Sequence, residues 1–197
     1  MKKAREPTYS FVILTFVLIL VSTLLAWLSV KLAPAAAGGV SLIYVAVAFM
    51  ILFTLWFGAY GAIAAYGGTL LGAWLLASDS FKLHPEIALL WAAAGLLQVL
   101  IPLVALRSLD FDLNLVSRRD WTLLLLFGVL INNIAGAVWG AWTLSLIPAI
   151  PPVAFGSVFA TWLIGNMIVT ILIVPVSLKL LTPRIERSKL FVRNYWD

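Results

Sequence analysis

The chain has 197 residues, 63% of them hydrophobic and 11% charged. A soluble domain carries about 25% charged residues, so a water-covered surface is excluded and the sequence predicts an all-α, polytopic integral membrane protein forming a single domain over 1–197. The net charge of +5 does not suggest nucleic acid as a partner, because the charges lie in short stretches between apolar runs and form no basic face.

There are no cysteines, which removes disulfides, thiolate metal sites and thiol nucleophiles. The start, Met1-Lys2-Lys3-Ala4-Arg5, has the look of a signal peptide. The apolar run behind it is too long for one and no small-residue cleavage site follows, so it is expected to remain as the first helix.

A hydrocarbon core about 30 Å thick takes roughly 20 apolar residues per helix. Taken in order, the spans run from about Tyr9 to Leu32, Val40 to Phe57, Ala59 to Ala77, Ile87 to Leu106, Trp121 to Leu146 and Val153 to Leu181. Between Leu32 and Ser78 there is no charge, and a tight turn at Phe57-Gly58-Ala59 is expected to divide the second span from the third. With six spans and both ends in the cytoplasm, eleven of the thirteen basic residues fall inside and only Lys31 and Lys82 outside, as the positive-inside rule favours. A plasma-membrane, multi-pass protein is expected, with residues 1–8 and the basic tail 182–197 in the cytoplasm.

The loop Arg107 to Asp120 is expected as a surface helix or turn of interleaved charges. The tail, which carries Tyr195 and Trp196, suits an interfacial anchor on anionic lipid or a strip that docks a partner protein. Small residues form two stripes: Gly61, Ala65, Gly68 and Gly72 in the third span, and Gly128, Asn132, Gly136 and Gly140 in the fifth. In lipid such stripes let helix backbones meet closely.

Four uncharged amides reach mid-membrane depth at 1.5 Å per residue: Gln98 in the fourth span, Asn132 and Asn133 in the fifth, and Asn166 in the sixth. Amides in lipid are costly unless paired. Two readings follow, an interhelical hydrogen-bond network or the polar floor of a ligand pocket. Trp91, Trp139, Trp142 and Trp162 lie on the outward side of this layer, and Trp162, Asn166 and Thr170 share one helix face. Aromatic walls above convergent polar groups are the usual make-up of a small-molecule site. The candidate ligand-binding residues are therefore Gln98, Asn132, Asn133, Trp139, Trp142, Trp162 and Asn166. Trp56, Trp74, Trp121 and Trp196 fall at span ends and suit an interfacial belt.

No ionisable side chain lies deep in a span, which argues against a proton-coupled carrier or pump. The single histidine, His84, sits in an outer loop with Asp79, Lys82 and Glu86, a weak metal set. Ser22, Ser41 and Ser157 have no base nearby in sequence. No catalysis, metal or cofactor is expected. Pro102 and Pro175 are expected to kink their helices.

The stretch Leu55-Trp56-Phe57-Gly58-Ala59-Tyr60-Gly61-Ala62, continuing through Gly67-Gly68 to Gly72, together with the six-span plan, resembles the substrate-binding S component of energy-coupling factor transporters. The segments Gly39 to Gly72, Leu106-Arg107-Ser108-Leu109-Asp110-Phe111-Asp112 and Thr161-Trp162-Leu163-Ile164-Gly165-Asn166 to Val174-Pro175 resemble the MASE1 membrane sensor domain. The first resemblance implies solute capture for uptake, with a membrane coupling subunit and its ATPase as partners. The second implies ligand sensing through a signalling partner. A third reading is a structural or assembly subunit. In the first two the ligand is expected to be a small, neutral molecule, because no buried charge is present to match a charged one.

Overall fold

The computed structural model describes residues 9–32, 41–76, 83–147 and 152–196. The N-terminal basic segment, the loop Pro34 to Gly39, and Asp79 and Lys82 lie outside the described residues, as does most of the proline-rich link before Pro152.

Among the described residues every regular element is helical: α1 (Tyr9–Leu32), α2 (Ala46–Phe57), α3 (Ala59–Leu76), α4 (Pro85–Ser108), α5 (Arg118–Leu123), a π-helical segment (Leu124–Ile131), α6 (Asn132–Ser145), a short 3-10 turn (Pro152–Ala154) and α7 (Phe155–Ile185). Among the described residues four helical runs are long and apolar enough to cross a membrane: Tyr9–Ser29, Pro85–Ser108, Arg118–Ser145 and Phe155–Ile185. An all-helical membrane protein is thus the fold that composition predicts.

The centre of the bundle is α2. Nine of its twelve residues are buried, among them Met50, Ile51, Leu52 and Leu55, and α1, α3, α4 and α7 pack around it. On the periphery, α1 presents Val12, Phe16, Leu20 and Leu24 outward. Its other face meets the glycine stripe of α3: a Cβ on Gly68 would lie 2.5 Å from Ser22 Cβ, and one on Gly72 would lie 3.0 Å from Ala26 Cβ. That stripe is a seam within the chain. Close approach here substitutes for the hydrophobic drive that lipid does not supply.

The second span departs from expectation. Twelve helical residues rise only about 18 Å, and the chain from Ser41 to Val45 is not helical. Irregular backbone is tolerated at membrane depth only where protein buries it and satisfies its polar groups. Here Ser29 on α1 accepts from the Val45 N–H at 3.0 Å, and Ser41 Oγ donates to the Ser29 carbonyl at 3.2 Å. The Leu42 carbonyl rests against Gly165 of α7, where a Cβ would come within 1.9 Å of its oxygen.

The turn expected at Gly58 is present, with φ at +59°. It is also where the tail docks. Glu186 to Trp196 does not trail away: the Val192 N–H donates to the Trp56 carbonyl at 3.0 Å, and the Ala59 N–H donates to the Tyr195 carbonyl at 3.0 Å. Trp196 packs edge-on against Tyr60, which stacks on Phe11 of α1. Three of the last four carbonyls of α2, which lack partners in the regular helix, are met: Thr54 by the Gly58 N–H, Leu55 by Arg107 and Trp56 by the tail. Gly58→Ala places a Cβ 2.6 Å from the Tyr195 carbonyl oxygen and forces an L-residue into left-handed backbone, which alone costs about 1–2 kcal/mol. Limited trypsin digestion is expected to cut this variant at Arg187, Lys189 and Arg193 several-fold faster than the wild type. Equal rates would mean that the tail is not held at this turn.

Two further boundaries move. The last helix does not end near Leu181 but runs through Pro183 to Ile185, and Thr182 within it accepts from Trp56 Nε1 at 3.0 Å. Of the two forms expected for the loop before α5, the turn is the one present, and it is not wholly on the surface: Leu113 and Leu115 turn into the core, Leu115 with φ at +54°. Its end is fixed by Asp120, whose carboxylate accepts from the Asp112 and Ser117 N–H groups while Ser117 caps α5.

Candidate functional site

Two helices bring Gln98, Asn132 and Asn133 into contact, and a third joins them through Thr170 and the Asn166 carbonyl. Gln98 of α4, Asn132 and Asn133 at the start of α6, and Asn166 of α7 are all at most 2% exposed. Gln98 Nε2 donates to Asn133 Oδ1 at 2.8 Å. Asn133 Nδ2 donates to the Val129 carbonyl at 2.8 Å and to Thr170 Oγ1 at 3.3 Å, and Thr170 donates in turn to the Asn166 carbonyl at 2.6 Å.

Asn132 has a separate task. Pro102 sits four residues after Gln98 in α4, so no helical N–H is available for the Gln98 carbonyl. Asn132 Nδ2 takes that place, donating to the Gln98 carbonyl at 3.2 Å. The proline of one helix and the amide of another form one unit.

The glycines of α6 set how closely the helices meet. A Cβ on Gly136 would fall 2.3 Å from Gln98 Cγ, and one on Gly140 would fall 2.3 Å from the Trp162 ring. The π-helical segment directly precedes the two asparagines; such segments widen the turn and recur at functional sites.

Three buried polar atoms of this cluster have no hydrogen-bond partner among the described residues: Asn132 Oδ1, Asn166 Nδ2 and Trp162 Nε1. Leaving one such atom unpaired costs about 1–3 kcal/mol. The cluster thus offers one acceptor and two donors.

The tryptophans divide. Trp162, one helical turn before Asn166, is buried and edge-on to Trp91 with centroids 5.7 Å apart. Trp139 is partly exposed and donates from Nε1 to the Leu90 carbonyl of α4 at 2.7 Å. Trp142 packs edge-on against Trp139 and is 43% exposed, so it lies outside the cluster. His84 pairs with Glu86 at 3.2 Å, and no metal-holding group occurs among the described residues.

A cavity of about 310 Å³ opens away from the amides, at the end of the bundle that carries the tail. Its walls come from α2, α4, the loop before α5, the end of α7 and the tail, with Arg107, Asp112, Glu186 and Arg193 as its charged residues. Sequence reasoning did not find it. The only local signal is the alternation Leu109-Asp110-Phe111-Asp112-Leu113, and nothing in that alternation points to α7 or to the tail.

No known protein family matches the chain, and no curated protein or solved structure does.

Proposed function

We propose that this protein is a six-span plasma-membrane protein, with both ends cytoplasmic, that binds a small neutral hydrogen-bonding solute at the amide cluster. In this reading it is the capture subunit of an uptake system, as the resemblance to S components implies. A membrane partner with an ATPase supplies the energy, since the chain carries no nucleotide-binding motif.

The observation that carries the reading is the set of buried, unmatched atoms Asn132 Oδ1, Asn166 Nδ2 and Trp162 Nε1. A solute with both a donor and an acceptor, such as a primary amide, matches them without a charge. Desolvating a neutral molecule costs far less than desolvating an ion. The solute enters past Trp162, whose ring lies over Gly140, and lodges between α4, α6 and α7.

Native mass spectrometry of the purified protein tests this. A discrete small-molecule adduct is expected in the wild type, reduced at least tenfold in Asn166→Leu and in Trp162→Ala. Lipid adducts alone, equal in all three proteins, would sink the proposal.

A second reading has its own support. Asn132 replaces the hydrogen bond that Pro102 removes, which is the behaviour of structural glue in an assembly subunit.

A further inference from the structure

We propose that the end of α7 and the docked tail bind the headgroups of anionic phospholipids, with the exposed cations Arg184, Arg187 and Lys189 as the contact. The proposal rests on the membrane fold and is independent of the amide cluster.

The pattern of exposure places these side chains at headgroup level. With 31 residues, α7 rises about 46 Å, longer than a hydrocarbon core of about 30 Å. The large apolar side chains that it exposes end at Leu181. In the described chain beyond it, the next exposed large apolar residues are Tyr195 and Trp196, of the two types that settle at the membrane–water interface. Between them the exposed side chains are polar or charged, apart from Pro183. The hydrocarbon boundary therefore falls just before Arg184. Lys179, the last cation before that boundary, lies over the Trp121 ring at 5.3 Å.

The charge there is one-sided. From Lys179 to Arg193 the chain carries five basic residues and one acidic residue, Glu186. Among the described residues the side chains of Arg184, Arg187 and Lys189 have neither an ion pair nor a hydrogen bond. Phosphate oxygens suit guanidinium forks, and basic clusters beside a membrane span attract anionic lipid. A choline lipid carries the same phosphate but cancels its charge, so the anionic headgroup is selected.

The fold supplies placement. A loose basic tail loses conformational freedom when it meets lipid. Here Val192 is fully buried, and its N–H and the Tyr195 carbonyl are each bonded to the turn between α2 and α3 at 3.0 Å. The Ser188 N–H donates to the Ile185 carbonyl at 2.9 Å, which folds the start of the tail back on α7. The cations are held at the boundary before any lipid arrives.

The test is native mass spectrometry of the detergent-purified full chain, titrated with an equimolar mixture of phosphatidylglycerol and phosphatidylcholine of identical short chains. A phosphatidylglycerol adduct about fivefold or more above the other is expected, with the ratio falling as ammonium acetate is raised and screens the charges. Arg184→Gln, Arg187→Gln and Lys189→Gln together are expected to bring the two adducts to parity. All three positions are exposed, so the triple variant is expected to melt as the wild type does. Arg187→Gln alone, expected to lower the ratio measurably, serves if it does not. Lys31→Gln controls for net charge: it lies at the far end of α1 from Phe11, which stacks on Tyr60 beside the tail, and is expected to leave the ratio unchanged. Gly58→Ala keeps every charge but displaces the tail, and is expected to lose much of the preference. Equal adducts in the wild type would overturn the proposal and leave the cations to an acidic partner protein. A preference that survives the triple variant, that Lys31→Gln abolishes equally, or that persists in Gly58→Ala once trypsin shows its tail released would overturn it too.

Discussion

Replacing Gly165 with alanine is expected to lower the melting temperature of the detergent-solubilised protein by about 10 °C, corresponding to about 3 kcal/mol of overpacking. The contact at this position is with backbone, so no side-chain rotation relieves it. A Cβ there would lie 1.9 Å from the Leu42 carbonyl oxygen and 2.9 Å from its carbon. Moving Leu42 away pulls on Ser41 and Val45, and those residues depend on Ser29 for their hydrogen bonds. The strain therefore passes to α1 and to the start of α2. Gly156→Ala, at the start of the same helix, is the control: its Cβ would meet nothing within 4 Å, so a change under about 0.5 kcal/mol is expected. Similar melting temperatures for the two variants would show that the segment before α2 is not pinned on Gly165.

This contact also shows where sequence reading stops. The division at Gly58 was legible, because that glycine falls midway along a long uncharged stretch and a helix twice the bilayer thickness is untenable. The meeting of Gln98 with Asn132 and Asn133 was legible because residue count sets how far along its helix each amide lies. The non-helical start of the second span was not. Its backbone partners, Ser29 and Gly165, lie far away in sequence, and Ser41-Leu42-Ile43-Tyr44-Val45 is apolar enough to pass for a helix turn. The π-helical Leu124–Ile131 segment was equally silent, since its residues form an unbroken apolar run. The tail reads as a basic strip for lipid or partner, yet its backbone meets the Trp56 carbonyl of α2. Local composition reports which residues like the interface, whereas the hydrogen-bond deficit at Trp56 is a property of the folded chain. The S-component resemblance, and part of the MASE1 one, rests on the glycine-rich stretch that ends at Gly72, and here Gly68 and Gly72 are used for packing within the chain. Such stretches therefore speak for helix contact more than for a particular function.

The unit formed by Pro102 and Asn132 allows the binding and structural readings to be separated. Asn132→Leu keeps volume but leaves the Gln98 carbonyl without a partner, and a loss of about 1–2 kcal/mol is expected, a fall of several degrees in melting temperature. Pro102→Ala returns an N–H to α4 four residues after Gln98, where it can meet that carbonyl. Added to Asn132→Leu, it is expected to recover at least half of the lost stability, so the pair is strongly coupled in a double-mutant cycle. A double variant no more stable than Asn132→Leu alone would contradict the assignment of this hydrogen bond. The solute adduct supplies the second readout. Asn132 Oδ1 is a buried acceptor with no partner among the described residues, and neither alanine at 102 nor leucine at 132 replaces it. If the cluster binds a solute, the double variant regains stability but not the adduct. If Asn132 serves α4 alone, every property of the wild type returns with the backbone hydrogen bond.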